Sequence, residues 1–161
     1  MTSRTPRFRR RRIVSAACAF ATLGAYQPSR TASSDAAFRS SVAGVDWELM
    51  ELNAKTASSG AGGRRATLRF DADSAHVSGF AGCNRFAGSY TLNGDSLRFG
   101  PLVMTRMACA DGMELERDLS AALEATRRYE LSSTQLKLFG PSKAIARFSR
   151  QIPEPGRHPD T

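Results

Sequence analysis

Apolar residues along the middle of the chain recur at every second position, the spacing that places them on one face of a β-strand. Trp47 and Leu49 flank Glu48, and Ala66, Leu68 and Phe70 alternate with Thr67, Arg69 and Asp71. Turn chemistry at Asp71 to Ser74 then leads into a further strand over Ala75 to Phe80. The runs Phe86 to Leu92 and Asp95 to Phe99 are separated by Asn93-Gly94. Asn-Gly between alternating runs predicts a hairpin, because both central residues of the favoured turn take positive φ. Pro101 opens a short stretch, Leu102-Val103-Met104. Near the end, Thr134 to Phe139 and Ala144 to Phe148 flank Gly140-Pro141-Ser142, which predicts a second hairpin.

One segment has a different period. From Met113 onward Leu115, Leu119, Ala122, Leu123 and Thr126 fall at helical spacing, with Glu114, Arg117, Asp118 and Glu124 on the other face. Asp111 and Glu114 are spaced as a capping box. The acids Asp111, Glu114 and Glu116 favour the positive end of this helix, and Arg127 and Arg128 its negative end. The predicted fold is mainly β, a small antiparallel barrel-like sheet with one α-helix packed against it, which also protects the strand edges.

The flanks lack either period. Residues 27–44 are rich in Ser, Ala and Arg and read as a linker, residues 151–161 read as a disordered tail, and the domain occupies 45–150. Gly60 to Gly63 reads as a flexible turn before a strand. The net charge of +8 over 161 residues suggests nucleic-acid binding until its distribution is considered. Arg4, Arg7, Arg9, Arg10, Arg11 and Arg12 precede every acid, leaving 17 of the 23 basic residues against 15 acidic ones, a remainder of +2. A basic start followed by the apolar stretch Ile13 to Tyr26 matches an export signal over residues 1–26. Nucleic acid is therefore not an expected partner. The expected location is the bacterial envelope, periplasmic or associated with the outer membrane. Membrane association would require lipidation at Cys18, which sits too early in the apolar stretch for that role.

Loss of a leader containing Cys18 leaves Cys83 and Cys109, and in an oxidising compartment two cysteines are expected to pair. The alternatives are two buried thiols or, less in keeping with the chain, a metal site. His76 and His158 have no ligand spacing to either cysteine, so no metal and no cofactor is expected.

The segments Gly79-Phe-Ala-Gly-Cys-Asn-Arg-Phe-Ala-Gly-Ser-Tyr90 and Met104-Thr-Arg-Met-Ala-Cys109, followed by a helix opening with Glu114 and Glu116, resemble the META domain, also called the HslJ-like family. The similarity runs from Trp47 to Phe148 and is carried by Gly82, Cys83, Asn84, Arg85, Phe86, Gly88, Met104, Thr105, Arg106, Met107 and Cys109. It implies a small barrel-like β domain with one helix, found in envelope lipoproteins and secreted proteins. It also implies association with heat shock, novobiocin resistance or virulence, with no established catalytic residues.

Two readings of the motif side chains stay open. In one, Asn84, Thr105 and Arg106 form a polar patch that recognises an acidic group. In the other, Asn84, Thr105 and Arg106 satisfy loop backbone while Met104 and Met107 fill the gap beneath the helix. No nucleophile with a base, and no phosphate-binding glycine loop, is visible, so no enzymatic activity is expected. The expected function is that of a non-catalytic exported envelope protein linked to stress or drug tolerance, acting on an unknown envelope protein. The alternatives are a barrel-mouth binder of a small apolar ligand, an inhibitor or partner of another envelope protein, and an unrecognised enzyme. A core filled by Trp47, Phe70, Phe80, Phe86 and Phe99 would favour the first, and an empty apolar cavity of about 300 Å³ or more the ligand binder.

Overall fold

The computed structural model describes residues 30–71 and 73–151. The expected export signal over residues 1–26, which includes Cys18, and the segment from residue 152 onward, which includes His158, lie outside them. Ten strands and two helices follow in chain order: α1 (Arg30–Val42), β1 (Asp46–Leu52), β2 (Lys55–Thr56), β3 (Thr67–Phe70), β4 (His76–Phe80), β5 (Arg85–Asn93), β6 (Ser96–Phe99), β7 (Val103–Met104), α2 (Met113–Ala125), β8 (Arg128–Leu131), β9 (Gln135–Phe139) and β10 (Ala144–Arg150). Eight strands close an antiparallel barrel in the order β10-β9-β8-β6-β5-β4-β3-β1, with β1 pairing back onto β10. The short strands β2 and β7 add to β1 and β5. Closure leaves the long strands with few open edges. The weakest seam lies between β6 and β8, which share the single ladder pair Ser96 with Arg128.

The alternation seen in the sequence has become an inside and an outside. Trp47, Leu49, Leu68, Phe70, Tyr90, Leu97, Leu136, Leu138 and Phe148 point inward and are each at most 1% exposed. The barrel is therefore packed with side chains. Phe80 and Phe86 are buried as well, whereas Phe99 is only partly so. Leu115, Leu119, Ala122 and Leu123 of α2 cover one end by packing on β1, β6 and β10.

Residues 30–42, read from sequence as linker, are helical instead, so the domain has two helices rather than one. Helix α1 covers the barrel end away from α2. Phe38 meets Phe70, Tyr90 and Tyr129 with ring centroids 5.3, 6.4 and 4.4 Å apart, and Val42 is fully buried. Asp35 accepts a hydrogen bond from the Gly94 backbone N–H at 3.1 Å. Two apolar residues four apart are too weak a stripe to announce a helix, and the helix is held by docking rather than by its own propensity.

The hairpins differ in detail from expectation. Asn93 pairs with Ser96, so the turn consists of Gly94-Asp95 rather than Asn93-Gly94, with glycine at φ 63 in the first central position. Between β1 and β2 the two-residue turn is Asn53-Ala54, with φ of 51 and 63. Asparagine tolerates this left-handed region, whereas alanine's Cβ is strained there. Replacing Ala54 with glycine is expected to stabilise the protein by about 0.5 kcal/mol, the relief of strain being partly offset by glycine's larger unfolded entropy. Urea unfolding of the Ala54→Gly protein measures this, and an unchanged or lower midpoint would show the turn to be unstrained.

Tyr90 sits in the aromatic cluster under α1 with its hydroxyl buried, and no described residue hydrogen-bonds to it. Burial pushes its phenol pKa up, opposed by the nearby Arg39 cation and reinforced by Asp71. A buried polar atom without a partner is unfavourable. The Tyr90→Phe protein is therefore expected to match the parent in stability or exceed it by up to about 1 kcal/mol. A loss of about 1 kcal/mol or more in chemical denaturation would show that the hydroxyl has a partner.

Candidate functional site

The motif residues converge at the end of the barrel covered by α2. Cys83 in the β4–β5 connection and Cys109 in the loop before α2 form a disulfide with Cα atoms 5.8 Å apart. Beside it Asn84 is 3% exposed and uses its full side-chain capacity. Its Nδ2 donates to the Met107 carbonyl at 3.1 Å and to Glu116 Oε1 at 3.2 Å. Its Oδ1 accepts from the Thr105 hydroxyl at 2.8 Å and from the Met107 N–H at 2.7 Å. Glu116 Oε2 also accepts the Asn84 backbone N–H at 2.6 Å, and Thr105 Oγ1 accepts the Arg85 N–H at 3.1 Å. Three segments distant in sequence are thus tied at one residue: the β4–β5 connection, the loop after β7 and the first turn of α2.

Close backbone packing completes this end. Gly82 has φ 123, a conformation that side-chain-bearing residues rarely adopt, and a Cβ there would stand 2.8 Å from the Gly112 carbonyl. The Gly82 carbonyl accepts the Ala61 N–H at 2.6 Å. Gly60 is consequently buried against this backbone, and the segment read as a turn continues as a short 3-10 turn over Ala61–Gly63, in which Gly62 and Gly63 are exposed. Gly88 allows Leu102 to pass closely, since a Cβ at that glycine would lie 2.7 Å from the Leu102 side chain.

Asn84 is buried and the hydroxyl of exposed Thr105 is taken up by Asn84 and the Arg85 N–H, so they tie loops together, and of the three residues considered for a polar patch only Arg106 keeps a side chain wholly available at the surface. Met107 does not fill a gap beneath the helix. It is 62% exposed, whereas Met104 is half-buried and receives the Ser120 hydroxyl at its sulfur. The capping box is also absent. Gly112, with φ 90, occupies the N-cap position without a side-chain cap, because this tight glycine packing sets the entry of α2. At the other end Arg127 donates to the Glu124 and Thr126 carbonyls at 2.8 Å each, while Arg128 lies in β8 and stacks on Phe139. Glu116, seen in the sequence only as a charge favouring a helix start, is the main anion of the network. Its spacing of 32 residues from Asn84 carries no local signal.

A concave surface of about 440 Å³ lies over the disulfide, lined by Ala61, Gly62, Arg64, Phe80, Arg85 and Met107 together with Thr105 and both cysteines. Arg64 lies over the Phe80 ring, its guanidinium carbon 3.9 Å from the centroid. His76 is exposed on β4 with its Nδ1 3.0 Å from Ser74 Oγ, far along the strand from this site. Among the described residues no group of three or more His, Cys, Asp or Glu side chains could hold a metal ion. None of their helices is long and apolar enough to cross a membrane.

Comparison with known proteins gives concordant results. A family model described as META domain matches residues 40–152. An NMR structure of a protein from Burkholderia xenovorans is 28% identical, with a TM-score of 0.59, the match covering 88% of this chain and 97% of that one. A second protein structure solved by NMR is 26% identical with a TM-score of 0.54, covering 68% of this chain and 92% of the other. No curated protein matches the chain.

Proposed function

The chain belongs to the META domain family, and from that premise we propose that it is an exported, non-catalytic protein of the bacterial envelope that supports stress or drug tolerance by binding another envelope protein through its surface. The disulfide between Cys83 and Cys109 is the observation that carries the export reading, because such bridges persist in oxidising compartments. The arginine-rich start and the apolar stretch to Tyr26 have the form of an export leader. The packed barrel interior favours action at the surface over carriage of an apolar ligand in the barrel mouth, since Trp47, Phe70 and Phe148 occupy the space such a ligand would need.

Two measurements test this proposal. Fractionation followed by mass mapping is expected to find the chain outside the cytoplasm, shortened near Tyr26 and oxidised at Cys83 and Cys109. Full-length chain in the cytosol with both thiols reduced would overturn export. A deletion strain is expected to be more sensitive to heat and to novobiocin, with rescue by the parent gene and weaker rescue by the Cys83→Ser form. Unchanged sensitivity in the deletion would overturn the link to stress.

A further inference from the structure

The geometry points to the concave surface over the disulfide as a docking site for an acidic peptide segment of a partner protein, with carboxylates bound by Arg64 and Arg85 and an apolar side chain received by Phe80 and Met107. This inference rests on the proposal that the domain acts by binding another protein, and supplies the site and the partner's chemistry.

The surroundings are unusual in both charge and polarity. Most arginines on the described surface are occupied: Arg65, Arg69, Arg117, Arg128 and Arg147 face carboxylates, and Arg127 and Arg150 donate to backbone carbonyls. Arg64 and Arg85 line the groove without an acidic neighbour among the lining residues, and exposed Arg106 sits between two lining residues, Thr105 and Met107. A guanidinium resting on an aromatic ring, as Arg64 does on Phe80, is preorganised while its edge N–H groups stay free for a carboxylate. The large apolar side chains most exposed among the described residues, Val103, Met107 and Met113 at 75%, 62% and 47%, all lie between residues 103 and 113, the segment bordering this end. Exposed methionine beside unpaired arginine is the composition of a contact surface rather than of a solvated face. The disulfide and Asn84 hold the floor rigid, so little ordering entropy is lost on binding.

A peptide fits better than a lipid surface. The site is a groove rather than a flat face, and its lining carries two arginines and no acid.

The test is an NMR titration of the oxidised, isotope-labelled protein with N-acetyl-Leu-Glu-Glu-amide, and with N-acetyl-Leu-Gln-Gln-amide as the neutral control. Saturable shifts are expected at the backbone amides of residues 61–65, 80–85 and 105–109, with a Kd on the order of 1 mM. The neutral peptide is expected to bind about tenfold more weakly, and Arg64→Gln and Arg85→Gln to weaken the acidic peptide by about threefold each, as exposed ion pairs do. Unperturbed shifts elsewhere report that the variants remain folded. The inference is overturned if the acidic peptide produces no saturable shifts by about 20 mM, or if the neutral peptide binds equally well. It is overturned too if the arginine variants bind as the parent does. Sedimentation with phosphatidylglycerol vesicles, lost in the same variants without any peptide binding, would assign the surface to lipid and also overturn it. A groove that fails these tests in a protein whose deletion still sensitises cells would leave the envelope reading intact; the reverse result would remove that reading and keep the groove.

Discussion

An Asn84→Ala protein is expected to unfold with about 3 kcal/mol less free energy than the parent, because the four hydrogen bonds of one buried side chain are lost together. Truncation leaves the Met107 N–H and carbonyl, the Thr105 hydroxyl and one Glu116 oxygen without the side chain they now share. The contributions are cooperative, so a double-mutant cycle with Glu116→Gln is expected to show coupling of about 1 kcal/mol or more. Urea unfolding of the four proteins provides the measurement. A loss below about 1 kcal/mol for Asn84→Ala would mean that the network is replaceable by solvent. The near-isosteric Asn84→Asp sharpens the test. Its carboxylate would face Glu116 in a buried site, so its pKa in the folded state would lie above the unfolded value of about 4. Protonation then favours the fold. The defect relative to the parent is expected to be small below about pH 4 and to grow as pH rises through the folded pKa. A defect independent of pH would show that lost donors, rather than charge, set the cost.

Replacing both Cys83 and Cys109 with alanine is expected to cost a comparable amount, about 3 kcal/mol, mostly by enlarging the unfolded ensemble. The bridge closes a separation of 26 residues. The native structure is expected to survive the change, since Asn84 joins the same two segments through Met107 and Thr105. The NMR spectrum of the alanine protein should therefore differ only near residues 80–86 and 104–116. Reductant supplies the control: it should lower the parent's unfolding midpoint to that of the alanine protein and leave the latter unchanged. An alanine protein within about 1 kcal/mol of the oxidised parent would show that the residual chain order in the unfolded state already restricts this loop.

Much of the barrel was legible because its strands bury one face, and burial on one face writes period two into the chain. The β3, β4, β5, β6, β9 and β10 segments follow that pattern, and the helical stripe from Leu115 to Leu123 marks α2. Strands β2 and β8 did not announce themselves. The first is two residues long and exposed, and the second begins with Arg128, which the charge pattern assigned to the helix end. Helix α1 leaves little sequence trace because, among its described side chains, only Phe38 and Val42 are buried. The candidate site was visible as motif residues and as a cysteine pair, but the tying of loops by Asn84 and Thr105 and the exposure of Met107 were not.

What the amino-acid order determines unaided is whatever neighbouring residues decide among themselves: alternating strands, one amphipathic helix and the β9–β10 turn. Tertiary structure decided the rest. The closure of β1 on β10 brings Glu48 beside Gln151, 103 residues away, and Glu116 reaches Asn84 across 32. Asp35 meets Gly94 across 59 residues to seat a helix with little stripe of its own. Such contacts leave no periodic trace, because a residue's polarity reports whether it is buried or paired but not with which distant segment, and only the closed barrel supplies that partner.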